Sequence, residues 1–486
     1  MNVLTILIDS LNRHCIGPYG NREISTPNLD RLAARSAVFD MHFAGSLPCM
    51  PARRELMTGR KEFFWRGWGA LEPFDRPIAR EARRLGAKTA IVTDHYHYWE
   101  NGAHGYLEHF DGVRMVRGHE CDMWDTEPVD DASLPDWARA VVRWRGDMGR
   151  RYYGNVKGYN SEEDFHSPRT FTEAADWLEK NRGHGKFFLW AECFDVHEPF
   201  YVPEPYRSMY SGGIKGDYTV WPPYQGGYHG HDPAFWERAT EDEVRYIRSQ
   251  YCGKVTMTDK WLGRLLDVMD RHGLWETTAV LLTTDHGHEL GEKRRFGKQP
   301  PNYDLNSHIP LMVSLPGMAG QKRIGALTTA VDLYPTMLGL LGGDPSCSPH
   351  GRSLLPLLDG SAKAHREAVV YGSHACGATV TDGRYTYHSG WDAGKEVYAY
   401  SANMLSPSPD AVSGKFIPGV DCPVWRMPAK NLAPIPELLF DRAEDPGQTR
   451  DLSSERHGAV GEMRSILKGL MDGEGVPPEQ YARLGF

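Results

Sequence analysis

The chain has 486 residues, 40% hydrophobic and 24% charged, enough apolar sequence to bury one large core and a smaller one, which excludes a disordered resting state. Its net charge of -9 excludes generic attachment to nucleic acid or to anionic membrane surfaces, because no basic excess exists to meet phosphates; an anionic ligand needs a local cationic site. The eight cysteines, at 15, 49, 121, 193, 252, 347, 376 and 422, form no Cys-x-x-Cys pair and read as reduced thiols. Met1 runs directly into the short apolar stretch Val3–Ile8, without the basic segment of a secretion signal or the length of a membrane span. A cytoplasmic protein with no membrane or nucleic-acid partner is therefore expected.

Several apolar runs of strand length each end in a polar cluster. Residues 3–8 end at Asp9-Ser10, residues 89–93 at Asp94-His95-Tyr96-His97, residues 187–191 lead to Asp195-Val196-His197, and residues 280–284 end at Asp285-His286. Continuous apolar strands predict a buried, largely parallel sheet with helices on both faces and a site beyond the carboxyl ends of the strands. Between them, Thr26-Pro27 opens a predicted helix over 28–39, and amphipathic patterns predict helices over 167–181 and 241–273. Residues 96–144 and 201–236, rich in Trp, Tyr, Gly, Pro and His, read as irregular loops. Past about residue 360, short runs at 368–371, 378–381 and 385–387, the last two around Asp382-Gly383-Arg384, predict an antiparallel sheet. The expected organisation is a catalytic α/β domain over 1–360 and a smaller α+β subdomain over 361–486.

The stretch Cys49-Met50-Pro51-Ala52-Arg53, followed by Thr58-Gly59, carries the chemistry. Cys-x-Pro-x-Arg with Thr-Gly five residues after the Arg resembles the signature of the type I sulfatase family of the alkaline phosphatase superfamily. The resemblance extends through Thr26-Pro27-Asn28-Leu29-Asp30-Arg31-Leu32, Asp332-Leu333-Tyr334-Pro335-Thr336, Gly351-Arg352-Ser353-Leu354-Leu355 and Glu437-Leu438-Leu439-Phe440-Asp441. It implies the alkaline-phosphatase-like fold, with a small four-stranded C-terminal sheet, and a sulfuric ester hydrolase whose Cys49 is oxidised to formylglycine by a formylglycine-generating enzyme. The hydrated aldehyde then supplies a hydroxyl whose pKa a cation lowers. Arg53, one helical turn on, is expected to steady the oxyanion and the incoming ester.

By the same resemblance Asp9, Cys49, Asp285 and His286 hold one divalent ion, and Asn12 offers a further oxygen. Ser10 and His286 stand where many relatives carry Asp and Asn, a nitrogen-richer set that admits manganese beside calcium. His197, in His197-Glu198-Pro199, is the expected acid for the departing alcohol, and Lys298, in Phe296-Gly297-Lys298, contacts a sulfate or leaving oxygen. In place of the family's Lys-x-His stand His95 and His97, candidates for the second deprotonation and for substrate binding, with His288 a further one. The pair Asp285-His286 is also similar to choline sulfatases and phosphonate monoester hydrolases, so a phosphonate monoester or phosphodiester is the alternative substrate, and an unconverted anion-binding protein the third reading. The aromatic loops suit a small-molecule or carbohydrate sulfate ester, and a homo-oligomer is allowed.

Overall fold

The computed structural model describes residues 1–100, 105–223, 233–318, 320–404 and 408–486. Its main sheet has eight strands, in the order Lys322–Thr329, Ala37–Phe43, Leu311–Ser314, Thr278–Thr283, Asn2–Ile8, Phe187–Cys193, Lys88–Thr93 and Gly112–Met115. All neighbours run parallel except Leu311–Ser314, which is antiparallel to both strands beside it. Because a strand turns successive side chains to opposite faces, the central strands feed two cores. Leu4, Ile6 and Ile8 pack with Leu189, Val280 and Leu282 on one side, and Val3 and Leu7 with Phe188, Trp190 and Leu281 on the other. The first core is closed by the helices His166–Asn181 and Glu241–Arg271, whose Ile247, Tyr251, Val255 and Leu265 form the stripe read from sequence. The second is closed by Cys49–Thr58, Ile78–Arg84 and Leu333–Leu340.

The helix expected over 28–39 is shorter, Pro27–Ala33, and Ala37–Phe43 is a strand of the main sheet. Val38 and Phe39 are fully buried there, so sheet pairing and burial override the helical spacing. Thr26 does not cap that helix: its hydroxyl accepts from the Gly17 amide, and the Asp259 carboxylate, from the long helix, accepts from the Asn28 and Leu29 amides at 3.0 and 2.7 Å. The first loop region also contains regular structure, namely the edge strand Gly112–Met115 and, at its end, the helix Asp136–Arg145, which a second helix, Asp147–Val156, follows. Residues 101–104 and 224–232 of those loops lie outside the described residues.

The C-terminal sheet has five strands, not four: Leu438–Asp441, Tyr385–His388, Ala378–Thr381, Val369–Ser373 and Ser46–Leu47. The last comes from the N-terminal part of the chain and runs parallel to Val369–Ser373, with Leu47 opposite Ser373. A further three-stranded sheet joins Tyr398–Ser401, Val424–Pro428 and Val412–Gly414. All eight cysteines are free thiols, and no described helix is long and apolar enough to cross a membrane.

Candidate active site

Four parallel strands deliver their polar ends to one edge of the main sheet. Asp9 follows Asn2–Ile8, His95 follows Lys88–Thr93, Glu192 lies at the end of Phe187–Cys193, and Asp285 and His286 follow Thr278–Thr283. The helix Cys49–Thr58 starts at this edge, so Cys49 occupies its first position and the positive end of its dipole. Thr58-Gly59 closes that helix: Gly59 takes a left-handed conformation with φ of 69°, and a Cβ there would lie 2.4 Å from Ser348 Oγ.

One ligand atom each from Asp9, Cys49, Asp285 and His286 falls within 4.8 Å of the others, and all four residues are buried. His286 Nδ1 donates to the Gly287 carbonyl at 2.8 Å, which turns Nε2 toward Cys49 Sγ, 3.2 Å away. Burial and the neighbouring Asp285 charge raise the Asp9 carboxyl well above its usual range. Burial opposes ionisation of Asp285 as well, but His286 and Arg53 hold it far below the ordinary carboxylate range. Burial lowers His286 to about 4 and pushes the Cys49 thiol well up, so an unmodified Cys49 is a protonated, weak nucleophile.

Arg53 is directed elsewhere than expected. Its Nε donates to Glu192 at 2.8 Å, Nη1 to Asp285 at 2.8 Å and to the Cys49 carbonyl at 3.0 Å, and Nη2 to Asp9 at 2.7 Å. Fully buried, it organises the carboxylates around Cys49. Glu192, which the sequence reading overlooked, also accepts from Tyr98 Oη and Trp190 Nε1. A charge within a strand buried on both faces was its detectable signal. Asn12 does not join the donor group: its amide is paired with the backbone of His288, accepting from the amide at 2.6 Å and donating to the carbonyl at 2.8 Å. Ser10 supports the group, its hydroxyl donating to Asp9 and its amide to Asp285.

His197 and Lys298 meet, Lys298 Nζ against His197 Nε2. His95 is fully buried with Nε2 3.9 Å from Asp9, and both its ring nitrogens lack a hydrogen-bond partner among the described residues. Burial and Arg53 keep its imidazole neutral. His97 lies one layer out, its ring 5.0 Å from that of His95. Its nitrogens face Glu100 at 2.6 Å and Glu120 at 3.6 Å; burial opposes its charge, but these two carboxylates raise its pKa. His288 Nε2 lies 2.9 Å from Glu198. Phe194, also overlooked, packs its ring 4.3 Å from both His95 and His197. Together these groups present a buried donor set, a residue on a helix N-terminus, and histidines and a lysine able to carry protons.

A family model described as Sulfatase matches residues 1–343. Among characterised proteins, the chain is 26% identical to a multifunctional alkaline phosphatase superfamily protein, PehA, of Trinickia caryophylli, over 93% of this chain and 91% of that protein. It is 24% identical to a choline-sulfatase of Rhizobium meliloti, over 79% and 77%. Among solved structures, the phosphonate monoester hydrolase of Agrobacterium radiobacter superposes with a TM-score of 0.69 at 20% identity, covering 97% of this chain and 96% of that one. The fold is alkaline-phosphatase-like, with the large mixed sheet flanked by helices and a separate small antiparallel sheet.

Proposed function

Because the chain belongs to the sulfatase family, we propose that it hydrolyses a sulfate monoester at Cys49, converted to formylglycine, beside one divalent cation. The observation that carries this reading is the buried charge around Cys49. Asp9, Asp285 and Glu192 bring three carboxylates, all fully buried, against the single guanidinium of Arg53. Such an excess of buried anions calls for a cation. Asp9, Asp285, His286 and the Cys49 side chain would hold it, and mixed oxygen and nitrogen donors suit manganese as well as calcium. Hydrated formylglycine supplies a hydroxyl nucleophile in place of the thiol, and the cation supplies Lewis-acid charge that lowers the pKa of that hydroxyl.

The chain's own residues do the rest. Arg53 holds Asp9 and Asp285 in place beside Cys49, one through each terminal nitrogen. His197 and Lys298, in contact with each other, would give the departing alcohol its proton. His95, kept neutral and without a hydrogen-bond partner among the described residues, would accept the proton whose removal releases sulfate. His97, paired to Glu100 and Glu120, lines the approach rather than the reacting centre.

The test begins with the mass of the Cys49 peptide, which separates thiol from aldehyde and so separates an enzyme from an anion-binding protein. C49A should reduce turnover by at least about a thousandfold while retaining some ligand affinity; near-normal turnover would sink the mechanism. The nitrogen donor His286 favours a second substrate class, phosphonate monoesters or phosphodiesters. Rates for an aryl sulfate, an aryl phosphonate and a phosphodiester at equal converted enzyme decide between them.

A further inference from the structure

We propose that Glu198 is a positioning residue that fixes one shared proton between His197 and Lys298, and so sets the pH above which the site no longer protonates a leaving alcohol. The inference rests on the ester-hydrolase reading above. It starts from a single carboxylate oxygen. Glu198 Oε2, in a fully buried side chain, lies 2.9 Å from His288 Nε2, 3.4 Å from His197 Nδ1 and 3.6 Å from Lys298 Nζ. The three groups come from three separate segments of the chain, and this carboxylate ties them together.

The tautomer of His197 follows from its partners. Its Nδ1 lies 2.7 Å from the Glu198 carbonyl oxygen, which only accepts, so Nδ1 carries a proton. A neutral imidazole then offers a lone pair at Nε2, the atom in contact with Lys298 Nζ. An ammonium has only donors, so one proton lies between the two nitrogens; a second would set two cations side by side. Burial drives the His197 imidazole well below its usual pKa, Lys298 pushes the same way, and Glu198 opposes both. Burial also disfavours the Glu198 anion, but His197, Lys298 and His288 hold it well below the ordinary carboxylate range. His197 alone is therefore a poor acid at neutral pH, whereas the His197–Lys298 pair beside an anionic Glu198 carries a transferable proton.

Other charged groups among the described residues also face the pair. Lys254, from the long helix, donates to the His197 carbonyl at 2.8 Å and is balanced by Asp195 at 2.5 Å, which also holds His119 at 2.8 Å. The charge of Lys298 is also felt by Asp9, Cys49 and His286. Phe194 stacks on the His197 ring and shields it from water. In the reaction the bond from sulfur to the alcohol oxygen breaks as the nucleophile's oxygen bonds to sulfur. The pair gives its proton to that alcohol oxygen, is left neutral beside anionic Glu198, and regains a proton from solvent.

Replacing the carboxylate with a neutral isostere removes the charge that stabilises the protonated pair. In E198Q the alkaline limb of kcat/KM should move down by about one pH unit or more. At neutral pH the loss should be about tenfold or greater for a phenyl ester and small for a 4-nitrophenyl ester, whose leaving oxygen needs little protonation. E198D should recover part of both effects. A readout independent of turnover is the 15N-histidine NMR titration of metal-loaded protein, with His197 assigned by its absence in H197N; its midpoint should fall in E198Q. An unmoved limb together with an unmoved His197 titration overturns the proposal. So does loss of fold in both variants, which assigns Glu198 to structure alone. A wild-type protein inactive on every ester sinks the hydrolase reading, while the His197 titration still decides the role of Glu198.

Discussion

Arg53 binds three carboxylates at once, and that geometry makes it irreplaceable by lysine. A guanidinium offers a planar fork of donors, used here toward Glu192, Asp285 and Asp9 from three different strand ends, whereas an ammonium is a point charge on a flexible stem. R53K should therefore leave buried carboxylates partly uncompensated, at a cost of about 3 kcal/mol in chemical denaturation. The same variant should lose metal, measured by elemental analysis of purified protein, together with at least about a hundredfold of turnover. Stability and metal content equal to wild type would show that Arg53 does not organise the donor set.

At the scale of elements, Asp332 explains two of the family landmarks as one structural joint. Its buried carboxylate accepts from the Thr329 amide at 3.1 Å and the Arg352 amide at 2.8 Å, and is ion-paired with Arg366. Together these join the strand Lys322–Thr329, the start of the helix Leu333–Leu340 and the turn at Gly351-Arg352. Gly351 is required there because a Cβ would lie 2.3 Å from the Val331 carbonyl. Burial opposes ionisation of Asp332, but Arg366 and His365 hold its pKa far below the ordinary carboxylate range. A depressed carboxyl contributes stability that is complete above its unfolded pKa, near 4, and is lost as pH falls through the folded value. D332N should cost about 3 kcal/mol at pH 7, and its denaturation midpoint should converge on that of wild type as the pH is lowered below 4. A constant difference across that range would remove the ion pair from the account.

For the whole molecule, the strand Ser46–Leu47 is the decisive connection. It pairs with Val369–Ser373, so the residues immediately before Cys49 belong to the C-terminal sheet. Glu55, from the nucleophile's own helix, accepts from the Ser46 amide at 2.7 Å and fixes the same junction. A fragment of residues 1–360 contains every candidate site residue yet lacks the strand that holds Ser46–Leu47 in place. It should show less than about 1% of full-length turnover and an unfolding transition without the cooperativity of the whole chain. Full activity in the fragment would make the two parts independent.

The sequence by itself determined what is local or periodic. Apolar runs closed by Asp9, His95 and Asp285 specified strands and the edge at which their ends gather, and Cys49-x-Pro-x-Arg specified the residue on the helix N-terminus. Those signals survive because burial on both faces leaves strands no other composition. What the tertiary structure decided depends on pairing between distant segments, which no local spacing encodes. Val38 and Phe39 left a helical pattern for the sheet because neighbouring strands could bury them. Arg53 pairs with three carboxylates because three strands converge on it, and Asn12 was taken by the backbone of His288. Glu192 and Glu198, inconspicuous in the chain, became central because each buried carboxylate gathers the donors of several separate segments, and a buried charge is tolerated only where such partners converge.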